Sequence, residues 1–462
     1  MSTPEARKKN GTSRADVDMT QGSIYRHILM FALPLLVGNF FQQLYNTVDT
    51  WVLGNYVSKE AFAAVGTIAP VFNLVVNTFI GLSNGAGVVI SQYYGAGSIK
   101  QVKRSVHTSI VMAAIASVLF TVFGLAMKDT LIGFMKPSAD MLPHAREYIG
   151  IIFTFLTFQI FYNVASSILR AVGDSKRPFY FLIVACITNI VLDLFFVLKL
   201  NMGVKGVAYA TVIAQGLSAV LAMYTLFTVD SCVRLSLKEL CFDIPIIKKV
   251  LKIGIPGAIQ VALVNFSNLF VTSYINYFGT DFSSGYSAYF KSELIIFMPQ
   301  QSISLATTTF VGQNFGAGNI ERAKQGVRAS MVLCLIPTLI IGALMMAFAP
   351  QITAFFNSDP AVMAYGAMCI RFITPFYLIH IVIMIHTAAL RGAGDTLVPM
   401  IIMVGCFVFL RQIYLFVMTN YIVNTPVAVL ASYPVGWVVG TVLNAVRYNR
   451  MDFSAKFAKL RD

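Results

Sequence analysis

The sequence predicts an all-α polytopic membrane protein, with twelve transmembrane helices in two parallel six-helix repeats. Three observations carry that prediction. First, 57% of the 462 residues are hydrophobic and only 12% are charged, with a mean hydropathy of +0.73. A soluble globular chain carries about 25% charged residues, so these charges are too few to coat a soluble surface. Second, apolar runs of the length a helix needs to cross a bilayer recur along the chain. They are too long and too uniformly apolar for barrel strands. Third, two pairs of polar loop motifs recur at a single offset.

The elements follow in order. Residues 1–24 are polar, lack the apolar core of a secretory signal, and are expected to stay in the cytoplasm. Twelve apolar runs then cover about 27–52, 60–85, 106–127, 147–170, 178–199, 204–229, 248–275, 284–308, 329–349, 362–390, 397–420 and 425–447. The N-terminal six-helix lobe is expected at 25–229 and the C-terminal lobe at 248–447. Between them, the polar stretch 230–247 (DSCVRLSLKELCFDIPII) reads as a cytoplasmic linker, and 448–462 as a basic cytoplasmic tail.

Charge sets the orientation. The chain has 34 Lys+Arg against 20 Asp+Glu, a formal charge of +14. Most of the cations fall in the two tails and in every second loop, whereas only Lys59, Lys128, Lys136, Arg146, Lys199 and Lys205 fall in the others. That bias puts both termini in the cytoplasm of a plasma-membrane protein. It also accounts for the basic balance without nucleic acid as a partner. The six cysteines lie mostly in apolar runs without metal-like spacing, so neither disulfides nor zinc are expected.

QYYGAGSIKQVKRSV at 92–106 matches QNFGAGNIERAKQGV at 313–327, and LRAVGD at 169–174 matches LRGAGD at 390–395, both displaced by 221 residues. Pro34 and Pro256, early in the first and seventh runs, differ by 222. An even number of spans per repeat gives both halves the same orientation, an architecture suited to alternating access. The Gly-Ala-Gly loops lack the Gly-Lys-Ser/Thr of a phosphate loop, so tight turns are expected there and no ATP site.

Three acids lie within spans: Asp49, Asp193 and Glu293. An ionised carboxylate at depth costs at least about 2.5–3.5 kcal/mol on insertion scales, so each needs a partner, water, a proton or a cation. Asn189 and Asp193 share a helix face at four-residue spacing. With Asp49 and Thr211 they offer two carboxylates, an amide oxygen and a hydroxyl. Such a set suits Na⁺ as a hard-oxygen cage, or a proton shared between carboxylates. The alternative leaves Asp49 at the outer water interface and Asp193 capping local backbone. At the repeat offset, Asp49 corresponds to Phe270 or Val271, Asp193 to Tyr414 or Leu415, and Asn189 to Leu410 or Arg411. The C-terminal lobe thus lacks the oxygen cluster.

Glu293 has two readings: a salt bridge to Lys291, Arg371 or Arg411, or a carboxylate that attracts a cationic substrate or a second ion. Gln42, Asn46, Asn163, Asn265 and Asn268 join it as candidates to line a substrate cavity. His380 and His386, six apart, fall on different faces and read as packed or cavity-lining residues, not as a metal site. Pro34 and Pro256 remove helix hydrogen bonds and are candidate hinges.

These motifs resemble the multidrug and toxic compound extrusion (MATE) transporters. The resemblance covers about 25–447 and rests on LPLLVGNFFQQLYNTVDTWVLG, the paired Q-x-x-GAG loops, the paired LR-x-x-GD motifs and NIVLD in the fifth run. It implies a transporter and not an enzyme, with two six-helix lobes around a central cavity. The implied activity is H⁺- or Na⁺-coupled antiport of amphiphilic, cationic drugs or toxic compounds. Family branches with an aspartate in the first span use an N-lobe cation site, and Asn189, Asp193 and Thr211 match its spacing. No cofactor beyond the coupling ion, no ATP and no nucleic acid is expected; the partners are small amphiphilic organic substrates and membrane lipids, and the state a monomer. The alternative is a flippase for a lipid-linked glycan or other lipid precursor. It would need a strongly cationic cavity, for which only Lys291, Arg371 and Arg411 are on hand.

Overall fold

The computed structural model describes residues 17–135 and 137–461, apart from the side chains of residues 70–72, 74 and 459–461. The first sixteen residues of the polar tail and Lys136 of an expected outer loop lie outside the described residues. Helix is the only regular structure among the described residues. In the first half, α1 (Ile24–Tyr56), α2 (Lys59–Gly95) and α3 (Ile99–Met135) are single rods. α4 (Leu142–Thr154) and α5 (Leu156–Ala171) are bent by 48° where Phe155 separates them. α6 (Lys176–Leu194) runs on through a π turn, Phe195–Lys199, and α7 (Gly203–Thr228) closes the half.

The second half repeats this order. It holds α8 (Ile244–Asn276), α9 (Thr280–Gly316), α10 (Ile320–Ala347) and the short α11 (Ala349–Phe356). α12 (Pro360–Ile373) and α13 (Tyr377–Gly392) flank a 3-10 turn at Thr374–Phe376. α14 (Leu397–Val404) and α15 (Arg411–Val417) are joined by a π turn, Gly405–Leu410, and a second π turn follows at Met418–Ile422. α16 (Pro426–Leu430), α17 (Ser432–Arg450) and α18 (Phe453–Arg461) complete the chain.

Among the described residues, ten helices are long and apolar enough to cross a membrane, or eleven when the bent α4–α5 pair counts as one span. The twelfth expected span is α2. It is 37 residues long.

The chain divides into two compact units, one containing Leu33–Ile255 and the other Met19–Ala32 with Pro256–Asp462. Both divisions fall beside the prolines of α1 and α8, and each helix continues through its proline without a break. The stretch 230–247 belongs to the first unit. Within that unit α2 packs on α5 and α3, α5 on α7, and α6 on α7. Within the second, α9 packs on α10, α12 and α13, and α13 on α17.

The paired loop motifs are turns in both units. Gly97 and Gly318 in the Gly-Ala-Gly loops have φ of +69° and +77°, and Gly173 and Gly394 in the other pair have +89° and +77°. These left-handed conformations favour glycine. The repeat extends past the helices. Cys232, Val233 and Leu235, after α7, bury in the core cluster that contains Tyr94 and Val102. Phe453, at the same offset from Cys232, and nearby Phe457, after α17, pack edge-on against Phe315, the counterpart of Tyr94.

Candidate functional site

In the first unit the four nominated oxygen ligands converge. Asp49 comes from α1, Asn189 and Asp193 from α6, and Thr211 from α7. All four are buried, and Asp193 is fully so. Asp49 lies within interaction range of Asp193, Asn189 and Thr211. The Thr211 hydroxyl lies 3.2 Å from Asp49 Oδ2 and 2.9 Å from the Val207 carbonyl, so its single hydrogen serves one or the other. Asp49 Oδ1, both Asp193 carboxylate oxygens and the Asn189 amide are buried without a hydrogen-bond partner. Asp193 therefore caps no backbone, and Asp49 is not at an open interface.

Local chemistry explains the placement. α6 ends its regular turn one residue after Asp193 and passes into the π turn Phe195–Lys199, a distortion found mostly at functional sites. Two tyrosines that sequence reasoning passed over, Tyr45 in α1 and Tyr148 in α4, stand close enough to Asp49 to feel its charge. Tyr45 lies one turn before Asp49, a spacing that was available in the sequence. Tyr148 arrives only through the packing of α4.

In the second unit, Glu293 forms no salt bridge within 4 Å among the described residues. Its Oε1 accepts from the Tyr289 hydroxyl at 2.8 Å and from Tyr377, and those two hydroxyls are 2.8 Å apart. The expected cation partners are engaged elsewhere. Lys291 lies over the Phe356 ring, and the exposed Arg371 donates to the Met346 carbonyl. Arg411, 3% exposed, donates to Ser267 Oγ at 2.7 Å and Asn268 Oδ1 at 2.8 Å, and stacks over Tyr433. The salt-bridge reading of Glu293 is thus corrected. Tyrosine hydroxyls solve its burial with neutral donors, which a membrane interior tolerates more readily than a second charge.

The uncharged candidates do not gather into one site. Gln42 is half-buried and Asn46 exposed on α1. Asn163 donates to the Gln159 carbonyl of its own helix. Asn265 is exposed, whereas Asn268 is held by Arg411. Pro34 is half-buried and Pro256 buried. His380 contacts Gln300 Oε1 at 2.9 Å and packs among Phe297, Tyr377 and Trp437, as expected of a packing histidine.

The family model for MatE matches residues 34–195 and 256–422, one block in each half. The chain belongs to the MatE family. Members are transporters, and this MatE chain is a multi-pass membrane transporter and not an enzyme. Among relatives, it is 28% identical over 400 residues to the probable multidrug resistance protein YpnP of Bacillus subtilis, covering 85% of this chain and 88% of that one. It is 29% identical over 405 residues to the probable multidrug resistance protein NorM of Thermotoga maritima, covering 86% of each. The MatE fold also superposes on a MOP superfamily transporter from Pyrococcus furiosus with a TM-score of 0.90, at 22% identity, over 98% of this chain and 99% of that one.

Proposed function

We propose that the protein is a cation-coupled antiporter that exports amphiphilic organic compounds, organic cations among them, by alternating access. The coupling ion, H⁺ or Na⁺, exchanges at Asp49, Asn189, Asp193 and Thr211. One observation carries this reading: two carboxylates converge in a buried site, and Asp49 Oδ1 and both Asp193 oxygens lack a hydrogen-bond donor. Two such carboxylates cannot both stay ionised and unpaired without a large cost, so a proton or a cation must sit with them. Occupancy then alters the local charge and with it the packing of α1 and α6. The multidrug resistance names of the Bacillus and Thermotoga relatives support small organic cargo.

On this reading the transporter sits in the plasma membrane as a monomer with both termini cytoplasmic. It draws on an ion gradient, without ATP, nucleic acid or a further cofactor. Pro34 and Pro256 are its hinges, and Gln42, Asn46, Asn163, Glu293, Asn265 and Asn268 are the polar groups offered to cargo. A glycan-lipid flippase finds less support, because, of its three expected cations, Lys291 and Arg371 are spent on local contacts and Arg411 alone is buried.

The test is efflux from proteoliposomes under an imposed pH gradient and, separately, an imposed Na⁺ gradient. Wild type should respond to at least one gradient, and Asp49→Asn should abolish that response with the protein still folded. Full gradient-driven efflux by Asp49→Asn and by Asp193→Asn would remove the coupling site.

A further inference from the structure

Arg411 presents a different problem from the acids. Arg411 is buried on a helix of the membrane bundle, and no carboxylate among the described residues lies within 4 Å of its guanidinium. Its hydrogen-bond acceptors are neutral: Ser267 Oγ at 2.7 Å and Asn268 Oδ1 at 2.8 Å, both meeting Nη2. Nε is buried with no partner. Ser267 has no further capacity, since its hydroxyl donates to the Phe407 carbonyl and also accepts from Gln412. The face of Tyr433 covers the guanidinium at 5.3 Å, and the Tyr433 hydroxyl is tied to Tyr286 at 2.5 Å. A buried guanidinium with neutral acceptors and an idle N–H lacks the counter-charge that normally offsets its desolvation.

The backbone is shaped around this residue. The π turn Gly405–Leu410 ends directly before Arg411. The corresponding part of α6 in the first unit is regular α-helix, so this distortion belongs to the second unit alone. On α8, Asn268 is half-buried and Asn265 is exposed. Three residues apart, they share a helix face and form a polar track that ends at the guanidinium. Two amides side by side would be costly against lipid tails, which marks this face as one that meets water or cargo.

We propose that Arg411 anchors an anion-binding subsite, which takes the carboxylate, sulfonate or phosphate group of an amphiphilic molecule. The incoming oxygens displace Asn268 Oδ1, and the planar fork of Nε and Nη2 receives them as a bidentate pair. The cargo range thereby extends from organic cations to acid-bearing amphiphiles. This subsite does not depend on the ion-coupling reading, because binding is measured without a gradient.

The experiment uses two probes with one aromatic body and opposite charge, 1-pyrenebutyrate and a pyrenylbutyl-trimethylammonium salt. They are titrated into full-length protein in phosphatidylcholine nanodiscs. Arg411→Gln should weaken pyrenebutyrate at least about tenfold, roughly 1.4 kcal/mol, and leave the ammonium probe unchanged or tighter. Asn268→Asp is nearly isosteric and guards against a folding failure. It supplies the missing counter-charge inside the protein, so it should raise Tm and abolish pyrenebutyrate binding while sparing the ammonium probe. Adding phosphatidylglycerol separates the two sources of such an anion. Competition in wild type identifies a lipid headgroup, and no competition identifies a free amphiphile. Unchanged pyrenebutyrate affinity in either Arg411→Gln or Asn268→Asp would overturn the proposal.

Discussion

In the N-terminal half, Asp49 and Asp193 are buried together, and three of their four carboxylate oxygens have no hydrogen-bond partner. In the C-terminal half, the single span acid, Glu293, is held by two tyrosine hydroxyls, and the position matched to Asn189 is Leu410 or Arg411. One repeat thus keeps a site whose charge state is open, and the other ties an oxygen of its acid to tyrosine hydroxyls and carries a buried cation. Duplicated folds need not duplicate chemistry. The backbone repeats because helix packing demands it, whereas the buried polar groups diverge because each is costly and persists only where it is used.

The largest effect expected from this contrast is on transport. Asp193→Asn should cut gradient-driven efflux by about 5–150-fold, the span of a coupling free energy of 1–3 kcal/mol. It should leave Tm equal or higher, because an uncompensated carboxylate is removed. Glu293→Gln should retain the ion dependence. If both substitutions abolish coupling equally, the two halves are not functionally distinct.

The paired LR-x-x-GD motifs sharpen the comparison at the loops. Asp395 accepts from Arg447 at 3.1 and 2.5 Å and lies 3.6 Å from Lys456. Charge-assisted bonds of this kind contribute about 1.5–3 kcal/mol, toward the lower end here because Arg447 is about a third exposed. Asp395→Asn should therefore lower Tm measurably. Asp174, its counterpart, caps α6 through the Lys176 and Arg177 amides, but burial outweighs those donors and pushes its carboxyl above the ordinary 3.8. The folded chain then holds that proton to a higher pH than the unfolded chain does. Stability falls as pH rises from the unfolded value through the raised folded one. Asp174→Asn, which keeps a capping oxygen, should raise Tm at pH 7 relative to wild type, with the gain vanishing near pH 3. A Tm series against pH for both variants reads the two signs directly.

A smaller difference lies in helix packing. Gly285 and Gly366 bring α9 and α12 together so closely that a Cβ at Gly285 would lie 2.7 Å from the Gly366 nitrogen. At the 221-residue offset the first unit has Ala64 and Ala145, both buried in one core cluster. Gly285→Ala should cost about 1–3 kcal/mol through overpacking. Ala64→Gly should cost about 0.5–1 kcal/mol through backbone entropy. Thermal unfolding in detergent distinguishes them, and equal losses would mean that the two crossings are equally tight.

Much of this was legible in the residues because membranes impose few solutions. Apolar length sets the spans, loop cations set their orientation, and an exact offset between QYYGAG and QNFGAG exposes the repeat. The span acids stood out because their rarity in apolar runs is itself a cost. The partners of those acids were less legible. Glu293 was read against Lys291, Arg371 and Arg411, yet its partners are Tyr289, one turn away, and Tyr377, 84 residues on. Tyrosine is common in this chain, with 20 copies, and its apolar body hides a hydroxyl whose role shows only in three dimensions. Likewise, Pro34 and Pro256 read as interruptions, but α1 and α8 run through them as single helices.

The sequence by itself determined the class, the two-fold repeat, the turns at its paired glycines and the short set of membrane acids. These follow from local rules of hydropathy, charge and backbone conformation that need no knowledge of neighbours. Only the tertiary structure decided which polar groups meet. Asp49 finds Asp193 across 144 residues, Glu293 finds tyrosines in place of a cation, and Arg411 is left with neutral acceptors. Such pairings depend on helix rotation and on π turns that shift a face by a fraction of a turn. In a low-dielectric interior that fraction decides whether a charge is satisfied or remains open to a ligand.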